Sequence, residues 1–249
     1  MATTLASTSA PTMSSTNRDR IFYSAMAIAL ALTVLIGFSQ TYFLKVFRSA
    51  PMATLSGASF TPLVHLHGLL FTSWVLLFIV QTALVAGHKV AVHRKLGIAG
   101  GVLALAMVIV GVSTSISAAA RGSAPPGVDP RSFMIIPLGD MVLFGGFVIA
   151  ALSLRRNKEA HKRLMLLAYI SIVVAAVARV PGVLPLGPLG FFGFTFIFLL
   201  AAIAYDLITR RRVHPAYIWG GSIFVASVPL RLAISGTETW KAIAGAIIR

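Results

Sequence analysis

Six histidines and one aspartate carry most of the chemistry this sequence offers. His65 and His67 open one apolar run, His93 and His161 open two others, His88 and His214 stand in the polar stretches between runs, and Asp140 lies inside a run. Neutral imidazole ligates iron, zinc and copper. A carboxylate held inside an apolar segment is costly, which makes it a functional hypothesis by default. Two binding chemistries follow. His65, His67 and Asp140 are candidate ligands of a divalent metal. His93 and His161, projecting from different segments at one level, are candidate axial ligands of a b-type haem. The plainer reading of the second pair stays open, because both lie among basic residues, in HRK at 93–95 and HKR at 161–163, and so fit a charged belt at a membrane surface.

Residues two apart on a helix point about 200° apart, so His65 and His67 cannot both hold one ion from a regular helix. His67, Trp74 and Gln81 recur every seven residues and form one stripe, which favours His67 as the ligand. Gly97, Gly100 and Gly101 follow His93. Such small residues let a macrocycle approach the backbone, and they equally let two helices pack closely.

There is no cysteine, which excludes disulfides, iron–sulfur clusters and Cys-linked haem. Neither HxxxH nor HExxH occurs, and no nucleophile, phosphate-binding or hydrolase motif is present. Catalytic residues are therefore not assigned.

The elements that position these groups follow from composition. Of 249 residues, 57% are apolar and 11% charged, yet 21 Lys and Arg face only 6 Asp and Glu. The basic residues fall singly or in short runs between long apolar stretches, which does not suit nucleic acid binding. It suits a polytopic membrane protein. Stretches near the roughly 20 residues needed to cross a bilayer run over 21–44, 63–87, 96–119, 134–154, 163–180, 190–209 and 216–234. The expected fold is all-α, with seven transmembrane helices. Residues 1–20 read as a disordered tail. Residues 235–249, with Trp240 and Lys241 in a run too short to span, read as an interfacial segment. Thirteen Lys and Arg fall on the face shared with the N-terminus and eight on the other. The positive-inside rule then places the N-terminus inside and the C-terminus outside.

That topology puts Asp140, Arg179 and Arg231 in one layer, roughly 22–24 Å above the inner boundary at 1.5 Å per residue. Gln40 lies close to the same layer. Asp140 is expected to neutralise Arg231 or Arg179 in a buried charge site. Arginine side chains also reach a nearby interface by snorkelling, and that reading remains beside the first.

The segments HLHGLLFTSWVLLFIVQT (65–82), HRKLGIAGG (93–101) and HKRLMLLA (161–168) together resemble an uncharacterised family of bacterial multi-pass membrane proteins. The resemblance implies the bacterial inner membrane and brings no activity. His67 with Gly68, and His93, are also similar by position to the histidines of cytochrome b561-like haem proteins, with His161 supplying an inner partner for His93. The fourth span, beginning SFMIIPLGD, has no histidine to pair with His67. Two functions follow as expectations. One is a haem- or metal-binding protein of membrane electron transfer, with quinone or another membrane subunit as partner. The other is a non-catalytic accessory subunit or a protein that binds a small solute or lipid.

Overall fold

The computed structural model describes residues 15–44 and 60–248. Lys45, Arg48, Arg249 and the first fourteen residues of the expected tail lie outside them. The described residues form eight α-helices: α1 (Ser15–Phe38), α2 (Pro62–Ala86), α3 (Val90–Ala120), α4 (Pro130–Ser153), α5 (Lys158–Val177), α6 (Gly187–Arg210), α7 (Pro215–Ser235) and α8 (Glu238–Ile247). The first seven are long and apolar enough to cross a membrane.

Local chemistry sets the boundaries. The Thr61 hydroxyl accepts from the Val64 N–H, Pro62 fills the first helical position and Gly87 follows the last turn of α2. Proline there loses no bond, because that N–H has no partner within the helix anyway. The fourth span begins earlier than its apolar run suggests. Asp129 accepts from the Ser132 N–H at 2.8 Å and Pro130 takes the first turn, so Pro137 lies in the interior of α4. That hydrogen bond also holds the exposed Asp129 carboxyl below its usual range. Ser15–Arg20, within the segment read as a tail, are the first turns of α1. Asp19 is the reason, since its carboxylate is bonded to α5 and α6.

α5 is the central element, packed by α1, α4, α6 and α7. Leu166, Leu167, Ala168, Tyr169 and Ile170 are successive and all buried, so this helix hides every face rather than one stripe. Close approach needs small residues. A side chain at Gly37 of α1 would overlap the Ala176 carbonyl of α5. The outward faces are apolar instead: Ile98, Val142, Ile149, Ile208 and Trp219 are each more than two-thirds exposed. A bilayer, not water, is the solvent that suits such a surface.

α8 docks on α4. Its Trp240 indole donates to the Arg131 carbonyl at 2.9 Å, and Ala244 packs with Met134 and Ala119.

Candidate functional site

Two polar assemblies and one cavity occupy the bundle. The first assembly joins α4 to α7. Arg231 donates to Asp140 Oδ1 at 2.6 Å and to the Ile136 carbonyl at 2.9 Å. Its guanidinium lies 5.2 Å over the Phe192 ring. Gly139 makes this possible, because a methyl group there would overlap the Arg231 side chain. Gln40, half-buried in a π-helical turn over Ser39–Phe43, does not join the pair.

Beside the pair lies a cavity of about 310 Å³, lined by parts of α1 to α6 and mostly apolar. That is near the lower end of the roughly 300–1,000 Å³ typical of small-molecule sites. Along α5 and the turn that follows it, the cavity extends from Tyr169 to Arg179, ten residues or about 15 Å at the helical rise. Its walls include Phe38, Phe71, Val75 and Val173, with His67, Asp140 and Arg179 among the polar exceptions. The π-helical turn contributes Tyr42, whose hydroxyl lies 3.1 Å from His65 Nδ1 and whose ring rests against Gly68.

Three polar groups of this cavity are not matched like the rest of the interior. Tyr169 is buried with no partner for its hydroxyl, and His67 Nδ1 is likewise unpartnered. Arg179 is half-exposed, lies 4.8 Å over the Phe38 ring and donates to the Ala175 carbonyl at 2.6 Å, and no described carboxylate pairs with it. Buried polar groups usually have partners, and an orphan signals strain, chemistry or an absent ligand or water.

The expected metal ligands are spread apart. His65 bonds Tyr42, His67 stacks on Phe71 at 4.0 Å and Asp140 holds Arg231. Among the described residues no three His, Cys, Asp or Glu side chains are gathered as a metal would need.

At the opposite end, His93 and His161 do meet, with ring centroids 6.3 Å apart. His161 Nδ1 lies 2.9 Å from the Ala151 carbonyl, while His93 Nδ1 is buried without a partner. Two imidazoles so placed are a reasonable donor set for one metal centre. The glycine face behind His93 is filled: side chains at Gly97, Gly100 and Gly101 would meet Gln81, Leu77 and Leu152. Those glycines serve the packing of α3 on α2 and α4. The seven-residue stripe also has a structural counterpart, since His67 Nδ1, Trp74 Nε1 and Gln81 Oε1 are all buried and unpartnered.

The second assembly, at this same end, was not evident in the sequence. Arg163 and Asp206, both wholly buried, form a two-bond fork, with Arg163 Nε 2.9 Å from Oδ2 and its NH2 on Oδ1. Arg163 also reaches Glu159 at 2.7 Å. Asp19 of α1 accepts from Lys162 at 2.7 Å, Tyr205 at 2.6 Å and Arg210 at 2.8 Å. Three acids and three bases thus tie α1, α5 and α6 together, and the His214 N–H that precedes α7 donates to Asp206 at 3.1 Å. Burial, helped by the nearby Arg163 charge, holds the His214 imidazole below its usual pKa. The faint signals were two i,i+4 pairs, Glu159 with Arg163 and Asp206 with Arg210. Tyr169, the deepest orphan, left none.

No protein-family model, curated protein or solved structure matches the chain.

Proposed function

We propose that this protein binds one small, elongated, largely apolar molecule in the cavity beside α5, as a non-catalytic membrane protein of the bacterial inner membrane. The observation that carries the reading is the cavity itself, in which Tyr169 and His67 present polar atoms without partners. A buried unsatisfied group costs about 1–3 kcal/mol, and a ligand oxygen or nitrogen there offsets that cost. The asymmetry of Lys and Arg supports an N-inside, C-outside orientation, which places the cavity toward the outer leaflet.

The test is chromatography and mass spectrometry of organic extracts from purified protein, compared with an Ala118→Phe variant that fills the cavity wall. A small molecule present in the wild type and depleted in the variant supports the reading. Equal amounts in both overturn it.

A second reading keeps membrane electron transfer. The 6.3 Å approach of His93 and His161, with an unpartnered ring nitrogen on His93, favours them as holders of a haem or other metal centre. Such a group would supply one-electron chemistry, with quinone as a suitable partner.

A further inference from the structure

Arg179 differs from the two most deeply buried arginines. Arg163 is matched by Asp206 and Glu159, and Arg231 by Asp140. All six acidic residues of the chain are among the described residues, and Arg179 belongs to none of their ion pairs. The Asp140–Arg231 pair is internally neutral, so the cavity wall carries an uncompensated positive charge from Arg179. Arg179 is half-exposed, and a cation that lines a mostly apolar cavity without a carboxylate partner favours an anion there.

The shape adds a second constraint. The cavity runs along about 15 Å of helix axis between mostly apolar walls, a shape that suits an extended hydrocarbon chain. At one end stand Arg179 and, on the facing α2, His67. At the other is the unpartnered hydroxyl of Tyr169.

Resting on the cavity reading, we infer that the ligand is a single-chain anionic amphiphile. Its carboxylate- or phosphate-type head group sits at Arg179 and its chain runs along α5 toward Tyr169. A guanidinium suits either oxyanion, because its fork of donors matches both. A free fatty acid and a lysophospholipid share this chemistry.

The experiment uses the full chain in phosphatidylcholine nanodiscs. Binding of dodecanoate, dodecan-1-ol and 1-dodecanoyl-lysophosphatidylglycerol is measured by competition against a fluorescent dodecanoate analogue. An anion is expected to bind at least about tenfold more tightly than the alcohol, a difference of about 1.4 kcal/mol. Arg179→Gln removes that preference, Arg179→Lys retains most of it, and Tyr169→Phe leaves the anion-to-alcohol ratio unchanged. Tighter binding of the lysophospholipid assigns the anion to a lipid headgroup, and tighter binding of dodecanoate to a free acid. Equal binding of anion and alcohol, or a preference that survives Arg179→Gln, overturns the head-group inference and leaves the cavity reading standing. Absence of binding by all three overturns both.

Discussion

Arg163 and Asp206 are wholly buried and hold each other through two parallel hydrogen bonds. The fork bridges the middle helix of the bundle to α6, and Asp206 also takes the backbone N–H of His214. Removing one partner of a buried pair costs about 3–5 kcal/mol when the other is left unmatched, and because Arg163 keeps Glu159 the lower end of that range applies. Asp206→Asn is therefore expected to lower stability by roughly that amount in urea or thermal unfolding of detergent-solubilised protein. A change below about 1 kcal/mol, the size expected of a surface pair, contradicts a structural role for the fork.

The Asp140–Arg231 pair invites a double-mutant cycle. Asp140→Leu and Arg231→Met each strand a partner, so each alone is expected to destabilise strongly. Combined with Arg231→Met, Asp140→Leu removes both charges and is expected to recover much of the loss, since apolar replacements of whole buried pairs are tolerated. Additive single and double effects would show that the two residues do not act together.

Gly139→Ala probes the same contact from the backbone side. The added methyl group overlaps Arg231, so the arginine has to withdraw from Asp140. Although alanine is the better helix former by about 1 kcal/mol, the variant is expected to be less stable than wild type. An increase in melting temperature would show that Arg231 has free room above α4.

His214 gives the protein a pH response. Its Nδ1 accepts from the Ala216 N–H at 3.1 Å as the cap of α7, and burial with the Arg163 charge lowers its pKa. In the unfolded chain it protonates near pH 6.5, before it does so in the folded protein. Stability from this residue is thus present above that pH and is lost as pH falls through the depressed folded value. Melting temperature is expected to drop from pH 7.5 to 5, and to drop less in His214→Asn, which keeps a capping oxygen. Parallel slopes for the two proteins contradict the assignment.

The seven spans were legible because a bilayer-length apolar run needs no knowledge of neighbours. Individual caps were half legible. Thr61 with Pro62 opens α2 at the edge of its apolar run, whereas Asp129 with Pro130 opens α4 ahead of its apolar run. Asp140, Arg179 and Arg231 stood out by depth, since helical rise converts position into height. The clasp did not. Lys162, Arg163 and Arg210 read as orientation charges, and Asp19 as part of a tail, because which helices adjoin is decided by packing around α5 and by no local pattern. Tyr169 is one polar atom in an apolar helix, and only the surrounding side chains show that its hydroxyl has no partner.

The central claim is that the space beside α5 holds a molecule. Native mass spectrometry of the intact protein, released from neutral detergent, tests it most directly. The account predicts a population heavier than the bare chain by one small molecule, present in the wild type and lost in Ala118→Phe. A wild-type spectrum of bare chain alone, or an adduct that persists unchanged in the filled variant, contradicts it.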